Sequence, residues 1–183
     1  AYLIGRGLGK PIIVKFGIGY APPGWQNLTD HLGRMGYTPD ELVAAGVAGR
    51  GKRGGCYDLF RNRVIFPIID LRGGVIAFGG RRLSEADNPK YVNTGDNPVY
   101  KKGRNLYALN FAKSSKRQEL LLAEGYMDVV AIHQGGFDNA IAGLGTALTG
   151  DQARLISGYT QTVVLCYDSD EAGQKATPKA VRL

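Results

Sequence analysis

Cysteine, histidine and long apolar runs are scarce in this 183-residue sequence, and each scarcity excludes a class of protein. Two cysteines, Cys56 and Cys166, are too few for a disulfide framework or a cysteine-based zinc site. They favour a reducing cytoplasm as the location. No apolar run is long enough to cross a bilayer, and the first residues lack the order of a secretory signal. We therefore predict a cytoplasmic protein without a membrane partner.

The positive charge is concentrated in the middle of the chain. The net charge is +7, and the hydrophobic fraction of 44% is ordinary for a folded protein. Residues 50–117 carry 15 Lys and Arg against 5 Asp and Glu, whereas residues 118–183 carry 4 against 8. This asymmetry fits two solvated faces, or a polyanion-binding surface followed by a metal-binding region.

Local patterns predict helices and then strands in the first two thirds. A short helix is expected over 27–35, and Thr-Pro-Asp-Glu at 38–41 has the spacing of a capping box with proline at the first helical position. The apolar run 64–70 and the segment 75–78 flank Arg-Gly-Gly at 72–74. This arrangement predicts a β-hairpin.

The last third alternates strands with helices. Strands are predicted over 119–123, 140–142 and 162–167, and helices over 126–134 and 149–156, with a further helix after Asp170. Such alternation is typical of a parallel sheet covered by helices. Ligands of these sheets lie beyond the carboxyl ends of the strands.

Four carboxylates fall at those strand ends. Glu124 follows the first of these strands, Asp128 lies four residues later, and Asp168 and Asp170 follow the third strand. If the two strands are neighbours, the four acids converge and require a cation, and oxygen-only ligands suit Mg²⁺. For any one acid taken alone, helix capping is the favoured interpretation, whereas four acids at two strand ends favour a metal site.

Two segments around these acids resemble the signatures of the Toprim domain. They are Glu-Gly-Tyr-Met-Asp at 124–128 and Tyr-Asp-Ser-Asp-Glu-Ala-Gly at 167–173, with Ala-Gly-Leu-Gly-Thr-Ala at 142–147 between them. Further blocks resemble motifs of bacterial DnaG-type primases; they lie at 16–22, 60–68, 79–81, 89–93 and 102–107. The resemblance to the catalytic core of that family covers nearly the whole chain.

The resemblance implies an α/β fold and an enzyme of DNA replication. It implies a basic α+β subdomain over 1–117 and a Toprim parallel-sheet α/β subdomain over 118–183. The implied activity is that of a primase, a DNA-directed RNA polymerase that makes primers on single-stranded DNA by metal-dependent nucleotidyl transfer. The implied partners are this template, ribonucleoside triphosphates and the RNA–DNA hybrid.

The resemblance also assigns roles to individual residues. Glu124, Asp168 and Asp170 would be catalytic, and these three with Asp128 would hold Mg²⁺, with Mn²⁺ as a substitute. The implied nucleotide-binding and nucleic-acid-binding residues are Arg61, Arg63, Arg81, Lys90, Tyr91, Asn93 and Lys102.

The sequence departs from a whole primase in three ways. The family has a zinc-binding domain before this core, a further acidic pair in an Asp-Pro-Asp type segment after it, and a helicase-binding domain later. We therefore expect a truncated fragment that is a poor polymerase alone. Zinc and the replicative helicase are expected as partners of the longer parent only.

Two other functions remain open at this stage. A topoisomerase Toprim module would use the same acids but needs a strand-cleaving tyrosine in another domain, and the basic block before Glu124 argues against it. A non-catalytic nucleic-acid or nucleotide-binding module would bind metal without synthesis. The remaining unusual side chains are predicted to be structural: His31, His133, Cys166 as a buried core residue, and Trp25 as a packing residue.

Overall fold

A computed structural model describes residues 1–52, 54–145, 147–168, 178 and 180–181 of the chain. The chain divides into two compact units. The first unit joins Ala1–Phe16, Ile68–Val75 and Lys101–Leu183, and the second unit joins Gly17–Pro67 and Ile76–Tyr100. The first unit includes segments from both sides of residue 117, so the division expected there stays a prediction.

The described residues form short helices and strands throughout. The α-helices are α1 (Tyr2–Gly5), α2 (Lys10–Lys15), α3 (Asn27–Arg34), α4 (Pro39–Ala44), α5 (Leu109–Ala112), α6 (Tyr126–Gln134) and α7 (Gly150–Ser157). The strands are β1 (Gly19–Ala21), β2 (Ala48–Arg50), β3 (Cys56–Asp58), β4 (Arg63–Ile69), β5 (Val75–Arg82), β6 (Tyr91–Asn93), β7 (Glu119–Ala123), β8 (Ala140–Ala142) and β9 (Thr162–Cys166). A 3-10 turn covers Lys102–Arg104.

A four-stranded sheet of order β1-β4-β5-β6 organises the second unit. Strand β4 alternates as its sequence predicts, because Val64, Phe66 and Ile68 are buried while the residues between them are partly exposed. The hairpin expected between β4 and β5 is confirmed. Gly73, at φ +92°, supplies a left-handed conformation at its tip, and the carboxylate of Asp70 accepts hydrogen bonds from the amides of Arg72 and Gly74 at 2.9 and 2.8 Å.

The two helices predicted in this unit are present, but they begin by different means. Helix α4 has the expected capping box between Thr38 and Glu41. Helix α3 has no side-chain cap of its own at Gln26. Instead the buried carboxylate of Asp58, from β3, accepts the amides of Leu28 and Thr29, both at 2.8 Å. A residue distant in sequence therefore caps this helix.

The first unit contains the parallel sheet that the last third of the sequence predicts. Its order is β8-β7-β9, and both pairs are parallel. Helix α6 follows β7, and α7 lies between β8 and β9 in sequence. Its core includes Leu120, Leu122, Ile141 and Ile156. The combination of an antiparallel and a parallel sheet confirms the α/β fold class.

Two expectations for the last third differ from the structure or lie outside it. Helix α7 begins at Gly150, and Thr149 is its cap rather than its first residue. The helix expected after Asp170 falls outside the described residues. None of the helices in the described part of the chain has the length and apolar character needed to span a bilayer.

Candidate acidic and basic sites

The first candidate site lies at the carboxyl edge of the parallel sheet. Ala142 of β8 is aligned with Ala123 of β7, and Ala123 is aligned with Cys166 of β9. Glu124 directly follows β7, and Asp168 follows β9 by two residues. The prediction that these two strands are neighbours is confirmed, so the two acids emerge at the same edge.

Glu124 and Asp168 are joined by a hydrogen bond. The backbone amide of Asp168 donates to Oε1 of Glu124 at 2.8 Å, although 44 residues separate them. Both side chains are exposed. The half-buried Tyr167 lies between Cys166 and Asp168, and its pKa is raised by burial and by the negative charge of Glu124. The carboxylate of Glu124 is therefore oriented toward the chain that leaves β9.

Asp128 is held close to this edge by its helix. It is the acidic residue in the first turn of α6, which starts immediately after Gly125. A carboxylate there is stabilised by the amide groups at the helix N-terminus, whether or not it also binds metal. The structure is thus compatible with both roles of Asp128, stabilisation of the helix N-terminus and metal binding.

The predicted four-acid site is described only in part. Asp170, its fourth member, lies outside the described residues. Within the described ranges, no three His, Cys, Asp or Glu side chains gather closely enough to hold a metal ion.

Lys102 belongs to the same unit as these acids. It opens the 3-10 turn, and five residues later Tyr107 exchanges two backbone hydrogen bonds with Ala142, at 2.9 and 3.2 Å. Ala142 is the last residue of β8, in register with the residue before Glu124. The segment that carries Lys102 therefore runs alongside the carboxyl edge of the sheet.

The other predicted basic residues belong to the second unit. Arg81 and Tyr91 face each other across β5 and β6, and the guanidinium donates to the Tyr91 hydroxyl at 2.6 Å. Asn93 is paired with Gly79 on the same two strands, and Lys90, just before β6, is exposed. Strands β5 and β6 thus place Arg81, Tyr91 and Asn93 on one face of the sheet, and Lys90 directly precedes Tyr91 in the chain.

Arg63 has a different environment from the one its predicted role requires. It is only 4% exposed, and its guanidinium donates to the carbonyls of Gly80, Asp87 and Lys90 at 3.2–3.4 Å. Burial, the largest effect, lowers its pKa. A guanidinium used in this way supports the β5–β6 connection, so the structure favours a structural role over a phosphate contact.

Trp25, which is predicted to be a packing residue, packs against neighbouring side chains, but it does so at the surface. Its side chain is 61% exposed. The guanidinium carbon of Arg61 lies 3.8 Å from the centroid of the Trp25 ring, and the ring of Tyr57 lies 5.7 Å away, edge-on. These three side chains, Trp25, Tyr57 and Arg61, are called the aromatic–arginine cluster below. The Pro-Pro-Gly turn before Trp25 was the only local signal of a surface position.

Two further sequence predictions have opposite outcomes. Cys166 is exposed rather than buried. His133 is structural as predicted: it is buried, and its Nε2 is bonded to the Ala140 carbonyl at 2.9 Å.

Comparison with protein families divides the chain in two. Residues 1–113 match the family described as "DNA primase catalytic core, N-terminal domain", and residues 118–183 match the Toprim domain. A DNA primase of Clostridium acetobutylicum is 47% identical over 177 residues, which are 96% of this chain and 29% of that relative. The chain therefore spans less than a third of that protein.

Solved structures give the same result. A DNA primase domain from Pseudomonas aeruginosa has a TM-score of 0.92 at 44% identity, over 98% of this chain and 57% of that one. A DnaG primase catalytic domain bound to single-stranded DNA has a TM-score of 0.87 at 45% identity, over 98% and 56%. The predicted resemblance is confirmed.

Proposed function

We propose that this chain, which belongs to the DNA primase catalytic-core family, forms the part of a primase that joins ribonucleotides on a single-stranded DNA template. The observation that carries the proposal is the hydrogen bond between Glu124 and the amide of Asp168. It joins the two Toprim-like signatures at one edge of the sheet. The match of residues 1–113 to a primase domain also argues against a topoisomerase module.

The acids of this edge suit a divalent cation. One oxygen of Glu124 accepts a hydrogen bond from an amide, and the other ligand atoms that Glu124, Asp128 and Asp168 offer are carboxylate oxygens. Asp170, whose position only the sequence predicts, would offer the same kind of ligand. Hard oxygen ligands of this kind select Mg²⁺ over soft metals, and Mn²⁺ can replace it. When bound, the cation would neutralise charge on the reacting phosphates.

The residues of the chain have separate tasks in nucleotidyl transfer. We assign to the exposed carboxylate of Glu124 the acceptance of a proton from the 3′-hydroxyl of the primer, and the hydrogen bond from the amide of Asp168 would orient it for that task. Lys102, on the segment beside this edge, is assigned to the triphosphate. Arg81, Lys90, Tyr91 and Asn93 are assigned to the nucleotide or the nucleic-acid backbone.

The aromatic–arginine cluster adds a contact for the template. An exposed tryptophan carrying a guanidinium offers a stacking surface for bases and a positive charge for phosphates. The relative solved with single-stranded DNA supports this class of partner. Binding by stacking and charge has little sequence preference, which suits an enzyme that copies varied templates.

The metal assignment is tested by removing charge without removing the hydrogen bond. Glu124→Gln retains an acceptor for the Asp168 amide, and Asp168→Asn retains the fold. Both should weaken Mn²⁺ binding about tenfold or more, measured by calorimetry. The control is Glu119→Gln, at the opposite end of β7. Unchanged affinity in both test variants would refute the site.

The synthetic activity is tested in the longer parent protein. With single-stranded DNA, Mg²⁺ and labelled ribonucleotides, the parent should make short RNA, and Asp168→Asn should abolish it. Metal and DNA binding by the parent without any synthesis would instead favour the non-catalytic binding module.

The template contact is tested at Trp25. Trp25→Ala should weaken the binding of an oligothymidine about fivefold or more, since one base stack is worth about 1–3 kcal/mol. Tyr37→Ala is the matched control, because Tyr37 is also an exposed aromatic residue of the second unit but lies outside the cluster. Equal effects of the two substitutions in a fluorescence anisotropy titration would contradict this assignment.

A further inference from the structure

The side-chain amide of Gln152 is the most completely engaged polar group around the Lys102 turn. Gln152 is fully buried. Its Oε1 accepts the amide of Thr149 at 3.1 Å, as the third residue of a capping box does. Its Nε2 donates to two backbone carbonyls of the preceding segment, that of Lys102 at 3.1 Å and that of Asn105 at 2.7 Å.

Thr149 adds a third bond to the same turn. Its hydroxyl accepts the amide of Gln152 at 3.1 Å and donates to the carbonyl of Gly103 at 2.6 Å. Two side chains from the start of α7 thus bind three of the four carbonyls between Lys102 and Asn105. An isolated 3-10 turn has weak internal hydrogen bonds, so these contacts hold its backbone in one conformation.

The capping box of α4 shows which contacts of Gln152 go beyond helix capping. In α4 the third residue is Glu41, whose carboxylate accepts the Thr38 amide at 2.7 Å and also the Thr38 hydroxyl at 2.8 Å. Capping a helix requires only that acceptor, which Glu and Gln both supply. At position 152 the side chain also faces two carbonyl oxygens. Of the two side chains, only the amide of Gln can donate to them, because an ionised Glu carboxylate only accepts.

We propose that Gln152 is a positioning residue for the triphosphate of the incoming nucleotide, acting by fixing the backbone of Lys102. This rests on the proposed role of Lys102. A lysine reaches its ligand through a flexible four-carbon stem, so the position of its backbone sets the region that its ammonium group can occupy. The turn also begins the segment that leads to Tyr107, which is hydrogen-bonded to Ala142 at the edge where Glu124 and Asp168 meet.

The central experiment compares two substitutions of Gln152 with Glu41→Ala in the full chain. Gln152→Glu retains the acceptor of the capping box but turns both donor contacts into repulsions. Gln152→Met removes all three contacts while keeping a similar shape. Glu41→Ala removes a capping box that does not support a lysine turn. Each variant is titrated with Mg²⁺–ATP and, separately, with Mn²⁺.

We expect both Gln152 variants to bind Mg²⁺–ATP about tenfold more weakly than the unaltered chain, because a turn that is no longer held must be ordered when Lys102 binds the triphosphate. Amide hydrogen exchange should increase over residues 101–105. Affinity for Mn²⁺ should not change, because the carboxylates are untouched. The Glu41 variant should lose stability without losing Mg²⁺–ATP affinity.

Lys102→Ala separates failure of this inference from failure of the proposed function. If this variant binds Mg²⁺–ATP normally, the role of Lys102 is wrong, and the inference falls with it. If it binds weakly while both folded Gln152 variants bind normally, only the positioning role is overturned. If neither Gln152 variant folds, Gln152 is a folding residue, and the positioning role is likewise overturned.

Discussion

Arg61 and Arg63 are two residues apart, yet their side chains make different contacts. Arg63 is buried under three backbone carbonyls, whereas Arg61 lies over an exposed indole ring and also donates to the carbonyl of Asp58. Both were predicted to contact phosphates from the same basic pattern. The basic pattern indicates where positive charge lies in the sequence, but it does not indicate which of the two arginine side chains is buried.

Arg63→Met should reduce the free energy of unfolding by about 2–4 kcal/mol, because three carbonyls lose a charged donor in a buried setting. Arg72→Met is the control, since Arg72 is exposed at the hairpin tip and its loss should cost less than about 0.5 kcal/mol. Urea unfolding measures both. A stable Arg63→Met variant with greatly weakened DNA binding would restore the predicted phosphate contact.

His133 makes the stability of the chain depend on pH. Burial is the largest effect and lowers its pKa from the usual 6.5, and the nearby charge of Lys15 acts in the same direction. The Ala140 carbonyl and the charge of Asp138 oppose this but are smaller effects. Its Nδ1 is buried without a hydrogen-bond partner among the described residues. The folded chain therefore resists protonation of this ring.

The sign of the pH effect follows from that lowered pKa. Below pH 6.5 the unfolded chain takes up a proton that the folded chain refuses, so stability falls as the pH falls, by at most about 1.4 kcal/mol per pH unit. The decline ends once the pH reaches the lowered pKa of the folded state. Urea unfolding between pH 7.5 and 5.5 should show this slope, and His133→Gln should flatten it.

His31→Gln provides the control for this measurement, because His31 is exposed on α3. That variant should keep the slope of the unaltered chain. A slope that survives in His133→Gln and disappears in His31→Gln would assign the effect to the wrong histidine.

At the scale of elements, α3 depends on a cap that comes from β3. Asp58→Ala should reduce the free energy of unfolding by about 2 kcal/mol and increase hydrogen exchange in α3, since two amides lose a charged acceptor. Asp30→Ala is the matched control, because Asp30 is an exposed acid in the first turn of the same helix. It should cost no more than about 0.5 kcal/mol. Equal losses from the two variants would show that charge at the helix start, rather than capping, is what matters.

Elements whose stabilising contacts lie within the element itself could be predicted from the sequence. Helix α6 has the predicted bounds, and the Thr38–Glu41 capping box is present. The remote cap from Asp58 could not be predicted, because its partner lies about 30 residues away and only the tertiary fold brings the two together.

At the scale of the whole molecule, the basic middle of the chain should govern binding to DNA. Each phosphate neutralised on a single strand contributes about 0.7 to the slope of log affinity against log salt. Replacing Arg81 and Lys90 by Ala should therefore weaken oligothymidine binding and make the slope shallower by about 1.4. Anisotropy titrations at salt concentrations from about 50 to 300 mM measure this slope.

Lys10→Ala with Arg34→Ala is the charge-matched control, because both residues are exposed and lie outside residues 50–117. This pair should leave the slope nearly unchanged. If both pairs change the slope equally, binding follows net charge alone and the assigned residues are not the contacts.

The sequence by itself determined helix α6, the capping box of α4 and the β4–β5 hairpin, and it predicted that Glu124 and Asp168 follow strands of one parallel sheet. These features depend on neighbours along the chain and on the rules of strand order. The tertiary structure alone decided that Arg63 is enclosed, that Trp25 and Cys166 are exposed, and that Gln152 supports the Lys102 turn. Burial and long-range hydrogen bonds depend on what packs from distant segments, and no local pattern encodes that.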